Sequence, residues 1–514
     1  MAASASNPAI EHIFVLMLEN RSFDHLLAFS GIEGITHARP NDANDYGGTD
    51  YTVGAAGAPW TMPSDPGHEF SDVLIQLCGP TVQHDPWTPY PTTIDNSGFV
   101  ASYATSSTES EPGAPAPPPL ADIGEIMHCF DTPNQLPVLY QLATEFAVCD
   151  HWFSSLPGPT WPNRLFLHGA SSGGWTNSPS SEQLQGWYEK TELFTLPNGS
   201  IFDRLTAAGL PWRIYADQDG PKYGGVPMVA ALADVAYGRN TLDFATFGRD
   251  VSSGGYDAAY TFIEPNYGDV VHGAFAGGSS QHPTDGVTRG EALIKATYEA
   301  IRQSPLWERS LLILTWDEHG GFYDSVAPPA ARPPEDGSPK DPTINSGGFL
   351  FDRLGVRVPA LVVSPLIPRG SVDSTVYEHS SVPATIERQF GLAPMTKRDA
   401  VASDLLALCT LKSPRTDCPA SLTSPAPTPP QPPSRRPDPD RVVTHPAALL
   451  RMAVLHKSDI ETARNDEERD AAHRAYAAAR TVGEANAYGE GAISRVTART
   501  TGAGEEGSAT TNVW

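Results

Sequence analysis

Cysteine is scarce in this chain: five residues, an odd number, spread thinly through 514 positions. That excludes a disulfide framework. Cys409 and Cys418 are close enough in sequence to pair, but free thiols are the expectation. Positive charge is also short. Lys and Arg total 34 against 60 Asp and Glu, a net charge of −26. So acidic a chain is not built to grip a nucleic-acid backbone. Nor is it built for electrostatic docking on anionic lipid, which leaves at most peripheral membrane contact. No stretch of 18 apolar residues occurs, so no transmembrane helix is expected. The first apolar run, Ile13 to Leu18, is six residues long and has no positive region before it. It reads as a strand rather than a signal peptide, and a cytoplasmic location is expected. There is no P-loop, no Gly-x-Gly-x-x-Gly after a strand and no Cys-x-x-Cys. Nothing has the pattern of a helix-turn-helix or a zinc finger.

Hydrophobic residues make up 40% of the chain, enough for a sizeable core. Short apolar runs at Ile13–Leu18, Trp212–Tyr215, Tyr260–Ile263, Leu311–Thr315 and Ala360–Val363 read as strands. Helical patterns at Gln135–Phe146 and Glu291–Arg302 lie between them. Almost wholly apolar strands separated by helices predict an α/β fold whose sheet is buried on both faces. Residues 40–120, rich in Gly, Pro, Ser and Asp, read as a loop-rich insertion that shapes or covers a site. A Pro-rich stretch over 420–440 reads as a linker. Beyond it, His456–Arg480 reads as one helix, and 501–514 as a flexible end. The expected division is a catalytic domain over 8–418, a linker over 419–440 and a helical extension over 441–514. The extension is near neutral and is expected to pack on the body or to mediate assembly.

Two strands end alike. Ile13–Leu18 runs into Glu19 and Asn20, and Leu311–Thr315 runs through Trp316 into Asp317 and Glu318. In an open parallel sheet, ligands bind beyond the carboxyl ends of the strands. If the two strands are neighbours, three carboxylates and an amide converge. Like-charge repulsion and desolvation would then oppose ionisation. A divalent cation removes that conflict, and an oxygen-rich set suits a hard or borderline metal. The plain alternative is that these residues are helix caps and solvated turns. Matched strand ends favour the metal.

Between Ser154 and Arg164 lies SSLPGPTWPNR, a rigid Pro-Gly loop followed by a helix start with Pro162 in its first turn. Thr160 then sits just before a helix N-terminus, a natural anion site. A hydroxyl there, facing a metal, can ionise and attack phosphorus. The plain alternative is an N-cap. Arg164 can pair with phosphate or form a structural salt bridge, and Asn163 is placed with it as phosphate-binding. His84, His282, His319 and His379 fall in loops, where a neutral imidazole near pH 7 suits proton transfer to a leaving oxygen.

Five segments together resemble one family: Glu19–His25 (ENRSFDH), Phe153–Arg164 (FSSLPGPTWPNR), Trp316–Pro329 (WDEHGGFYDSVAPP), Val356–Pro365 (VRVPALVVSP) and Glu378–Gly391 (EHSSVPATIERQFG). It is the phosphoesterase family of bacterial phosphatidylcholine-hydrolysing phospholipases C, plant non-specific phospholipases C and the acid phosphatase A group. The segments stand in the family's order. LPGPTWPNR and TWDEHGGFYD look most like the plant-type enzymes and their bacterial relatives. The resemblance implies an alkaline-phosphatase-like sandwich with a central, mostly parallel sheet flanked by helices. It implies one divalent metal on Glu19, Asn20, Asp317 and Glu318, with Ca, Mg, Mn, Fe and Zn all compatible. It implies Thr160 as nucleophile, forming a phosphothreonine intermediate. His84 and His282 are similar to the family's active-site histidines, and His319 is placed with them or as an orienting group. Asp24, His25 and Asp324 are expected to brace the turns around the site.

The expected activity is hydrolysis of glycerophospholipids, giving diacylglycerol and a phosphorylated head group. Two alternatives stand beside it. One is a phosphomonoesterase acting on small soluble phosphate esters. The other is an inactive, metal-stabilised binding protein.

Overall fold

A computed structural model describes residue 7 and residues 9–105, 122–185, 193–273, 275–429 and 438–506. All five runs expected to be strands lie in one eight-stranded sheet. Its order is Ser371–Asp373, Ala147–Cys149, Ala360–Val363, Ser310–Trp316, His12–Leu18, Tyr260–Glu264, Trp212–Ala216 and Thr241–Asp243. Ala360–Val363 runs against its two neighbours, and the other pairings are parallel. The central strand, HIFVLML, is buried at every position, as a strand covered by helices on both faces must be. The α/β architecture with a mostly parallel sheet is therefore as expected.

The insertion is more ordered than its composition suggests. It contains a hairpin of Ala43–Tyr46 with Thr49–Thr52, and helices at Phe70–Cys78 and Phe99–Thr105. Val53, Phe70, Val73, Leu77, Phe99 and Val100 build a second apolar cluster with Phe322 and Phe349. Its Pro-rich end, 106–121, falls outside the described residues. The start of the Pro-rich stretch lies against the body, where Leu422 N donates to Glu299 Oε1 at 2.8 Å and Thr423 N to Gln141 Oε1 at 2.8 Å.

The helix expected over His456–Arg480 is two helices, Pro446–Glu461 and Asp466–Ala478. Asn465 accepts from Glu468 N and so starts the second one afresh. A third helix, Val482–Glu506, extends into the stretch expected to be a flexible end, of which 507–514 lies outside the described residues. Every residue from Ala448 to Ile460 is buried, and Leu450, Val454 and Leu455 belong to the main core cluster. The extension packs on the body and shares its core. Among the described residues no helix is long and apolar enough to cross a membrane.

Candidate active site

The two strand ends meet. His12–Leu18 and Ser310–Trp316 are adjacent and parallel, with Leu18 opposite Trp316. That register sets Glu19 and Asn20 level with Asp317 and Glu318, all four buried. Tyr260–Glu264 flanks the same strand on its other side, so Glu264 joins the rim. Asn20 turns the chain with φ of 60°, a left-handed conformation that Asn tolerates better than most residues. Its backbone N–H donates to Asp317 Oδ1 at 3.0 Å. Its side-chain Nδ2 contacts Glu318 Oε1 and lies 3.4 Å from Thr160 Oγ1.

Thr160 is the first residue of a helix running to Gly169, with Pro159 as its N-cap. It is half-buried, whereas Trp161 to Gly169 are all buried. The expected placement just before the helix shifts by one residue. The hydroxyl nevertheless stands at the helix head, where N–H groups lack partners inside the helix.

Two residues expected to bind phosphate are engaged elsewhere. Asn163 is fully buried and closes the Pro-Gly loop. Its Nδ2 donates to Gly158 O at 2.9 Å and Pro159 O at 3.1 Å, and its Oδ1 accepts from Leu156 N at 3.1 Å. Because the helix begins at Thr160, position 163 faces back into the loop rather than out to a ligand. Arg164 runs beneath the strand ends. Its Nε donates to Asp317 Oδ2 at 2.8 Å and its Nη2 to Leu18 O at 3.0 Å. It is a buried strut for Asp317.

The histidines divide. His282 is in place: its ring stacks on Phe275 at 3.6 Å, and its Nε2 lies 3.4 Å from Asp65 Oδ2. Burial opposes the imidazolium, but Asp65 and Glu19 outweigh it and hold the His282 pKa above the ordinary value. His319 is wedged between Gln76 Oε1, 2.7 Å from its Nε2, and Glu318 Oε2, 3.3 Å from its Nδ1. Burial keeps it below the usual histidine range, which suits orienting Glu318 rather than carrying charge. His379 supports Asp317 from behind, with Nε2 2.6 Å from the Asp317 carbonyl. His84 is not brought to this group. Its ring contacts are Phe70 and Tyr90, inside the second apolar cluster.

His68 stands where His84 was expected. Its Nδ1 donates to Pro66 O at 2.8 Å, and its charge acts on Glu318, His319 and His282. The signal was present in the sequence as DPGHEF, Asp65–Phe70, where a glycine precedes a histidine inside the insertion. Asp65 and His68 reach the site because Gly321 leaves room for Pro66 and Gly67. A Cβ at Gly321 would stand 2.6 Å from Pro66, and one at Gly320 only 2.2 Å from Asn20 O.

Outside this group, Arg357 is fully buried and clamps two carboxylates, Asp24 at 3.1 Å and Asp324 at 3.0 Å. His25 lies between Phe322 and Phe130. These three expected braces do brace. Gly169–Gly173 reads GASSG, the spacing of a serine-hydrolase elbow, but it follows a helix end and not a strand. Ser171 there donates to Asp336.

The electrostatics of the rim are unresolved by protein groups alone. Burial pushes the Asp317 pKa up to about 7 against the pull of Arg164, with repulsion from Glu318 and Glu19 adding to it. Burial works against charged Glu318 too, but His68 and His319 offset it and hold the carboxyl below its usual range. Among the described residues no three His, Cys, Asp or Glu side chains are grouped as a metal site. The donors that remain are oxygens of a wider set. Glu19 Oε1 and Asn20 Oδ1 are buried without a hydrogen-bond partner. Turned over, the Asn20 amide would set its oxygen against Glu318 Oε1 and beside Thr160 Oγ1. A divalent cation would serve oxygens so placed, together with the unpartnered Glu19 Oε1. Asp317 is the least available of the four expected ligands, since Arg164, Asn20 N and Glu318 N already occupy its oxygens.

The family model described as the Phosphoesterase family matches residues 10–393. "Non-specific phospholipase C6" of Arabidopsis thaliana is 36% identical over 81% of this chain and 76% of its own length. "Non-specific phospholipase C3" of the same plant is 34% identical over 82% and 77%. "Non-hemolytic phospholipase C" of Burkholderia pseudomallei is 27% identical over 79% and 59%. Among solved structures, the phosphonate monoester hydrolase of Agrobacterium radiobacter matches 54% of this chain and 72% of its own, at 11% identity and a TM-score of 0.30.

Proposed function

The chain belongs to the phosphoesterase family and is a phosphoric ester hydrolase, and from that premise we propose that it is a phospholipase C whose nucleophile is Thr160. The observation that carries the proposal is the placement of the Thr160 hydroxyl. It stands at the head of a helix, 3.4 Å from Asn20, at the carboxyl ends of two adjacent strands that present Glu19, Asp317 and Glu318. Residues 8–418 form the catalytic unit in this proposal, with 419–440 leading to the extension at 441–514.

The substrate is a glycerophospholipid, as the names of the plant and bacterial relatives suggest. Thr160 Oγ gives up its proton to solvent and attacks phosphorus from the helix head, where first-turn N–H groups and the helix dipole favour the anion. The bond from phosphorus to the glycerol oxygen breaks, and His282 supplies the proton that makes the leaving group diacylglycerol. Water then attacks the Thr160-bound phosphodiester, losing a proton to the neutral His282. The phosphorylated head group leaves, and Thr160 Oγ takes a proton back from solvent to restore its hydroxyl. His68 faces the same space and offers a donor to the phosphoryl oxygens. His319 and His379 hold Glu318 and Asp317 in place.

Asn20, Glu318 and Glu19 are the residues that would hold a divalent metal, with Asp317 behind them. Such a metal would lower the Thr160 hydroxyl pKa and polarise a non-bridging oxygen.

The test is product analysis on phosphatidylcholine in mixed micelles and, in parallel, on p-nitrophenyl phosphate, each with and without a chelator. Release of diacylglycerol and phosphocholine is expected. Thr160→Ala should lose that activity by at least a thousandfold while keeping the wild-type melting temperature. Full activity in Thr160→Ala would remove the nucleophile from the proposal. Turnover of the monoester alone would make the protein a phosphomonoesterase.

A further inference from the structure

We propose that Arg451, supplied by the carboxy-terminal extension, binds the phosphoryl group of the substrate. The inference rests on the site proposed above and names a group that the catalytic body does not itself contain.

Arg451 lies one turn into the Pro446–Glu461 helix and is 1% exposed. An arginine on such a helix ordinarily extends its head to water. Here the guanidinium lies over the ring of Tyr267, 4.3 Å from its centroid. Nη1 donates to Ala447 O of its own helix at 3.0 Å, while Nε is buried without a partner. Among the described residues no carboxylate forms an ion pair with it. The other buried charges of this helix are compensated. Lys457 Nζ donates to Leu232 O at 2.5 Å and Val235 O at 2.8 Å, stapling the helix to the body. Asp459 pairs with Arg495 at 2.6 Å and Arg499 at 2.7 Å. Of the three, only Arg451 lacks both an ion-pair contact and a full set of acceptors, the Glu19 and Glu264 carboxylates acting on it from farther off.

The carboxylates that act on it, Glu19 and Glu264, belong to the catalytic rim. Tyr267 is shared with Arg164, whose guanidinium carbon is 5.2 Å from the same ring and whose Nε holds Asp317. The Glu19 carboxylate acts electrostatically on both arginines. Arg451 therefore stands one ring away from the strut of the catalytic rim. The same helix braces a second part of the site. His445, its N-cap, packs on Phe275 at 5.4 Å, and Phe275 stacks on His282. A buried, under-satisfied guanidinium is costly unless an anion meets it, and its planar fork matches two phosphoryl oxygens.

The experiment uses the full chain, with inorganic phosphate as probe. Arg451→Gln should weaken phosphate binding, by calorimetry and by competitive inhibition, between tenfold and a hundredfold. It should raise KM for p-nitrophenyl phosphate and for phosphatidylcholine micelles by a similar factor, with a smaller change in kcat. Arg451→Lys should fall between wild type and Arg451→Gln, and decides the matter if Arg451→Gln does not fold. Lys457→Met loosens the same helix away from the site and should leave phosphate affinity unchanged in the folded protein. Wild-type phosphate affinity in folded Arg451→Gln, or in Arg451→Lys when the former is unfolded, would overturn the inference. So would an equal loss in Lys457→Met, which would make Arg451 a docking residue. Thr160→Ala, assayed alongside, separates the two proposals. If it is inactive and Arg451→Gln behaves as wild type, only the role of Arg451 fails. If it is active, the site itself is misplaced.

Discussion

Arg164 and Asp317 are 153 positions apart and form one buried pair, Nε to Oδ2 at 2.8 Å, beneath the rim where the strands end. The pair links the helix that presents Thr160 to the strand that presents Glu318. Arg164 is thus placed as a strut, and its removal leaves Asp317 in the interior without its ion-pair partner. Arg164→Met should destabilise the fold by about 3–5 kcal/mol, as removal of one member of a buried pair does. Urea unfolding measures it. A phosphate ligand would behave otherwise, raising KM while leaving stability intact, and that outcome would return Arg164 to the role expected from sequence.

Gly320 tests the close approach of the two strand ends. Its φ is +65°, and a Cβ there would lie 2.2 Å from the backbone oxygen of Asn20. Gly47 has the same φ with nothing within 4 Å. Gly47→Ala should cost about 1–2 kcal/mol, from left-handed strain alone. Gly320→Ala carries that strain and a clash with backbone, and should cost about 1–3 kcal/mol more. Because the clash displaces Asn20, its activity should fall more than tenfold, and that of Gly47→Ala should not.

His168 should control stability in acid. Its ring packs edge-on against Phe262 at 4.8 Å, and burial, with Arg164 nearby, lowers its pKa from 6.5 to about 3. Between those two values the unfolded chain binds a proton that the folded protein refuses. Stability from this group is whole above pH 6.5 and declines as pH falls toward 3, by up to about 1.4 kcal/mol per pH unit. His168→Gln should flatten this slope in denaturant titrations between pH 6.5 and 4. An unchanged slope would mean that the ring is already protonated in the folded state.

Asp65 should set the alkaline limb of the activity. It raises the His282 pKa, and the acid form is the one that protonates the leaving oxygen. Activity in the first step is therefore lost as pH rises through the His282 pKa. Asp65→Asn removes the stabilising charge and should move that limb of the kcat/KM profile to lower pH. A profile that does not move would assign the limb to another group.

Much of the fold was legible because local chemistry decides it. Seven consecutive buried positions, HIFVLML, leave no choice but a strand covered on both faces. The Pro-Gly loop before Thr160 and the acidic or amide pairs after two strands were visible for the same reason. The chemistry of each segment is contained within a few residues of it.

Tertiary structure decided the rest. Sequence could state that two strands end alike, but only the sheet order makes His12–Leu18 and Ser310–Trp316 neighbours. His68 and His84 are both histidines in an irregular stretch, and the sequence does not tell them apart. Only the glycine-permitted approach of Pro66 and Gly67 to Gly321 brings His68 to the rim. Arg164 has the chemistry to hold either phosphate or a carboxylate. The helix phase, fixed by where packing starts the helix, turned it under the sheet. Arg451 was hidden most completely, since nothing in its helix names the Tyr267 ring it meets. Residue type sets what a side chain can bind, a property of a few bonds. Which partner it meets depends on contacts across hundreds of residues, and those exist only once the chain has folded.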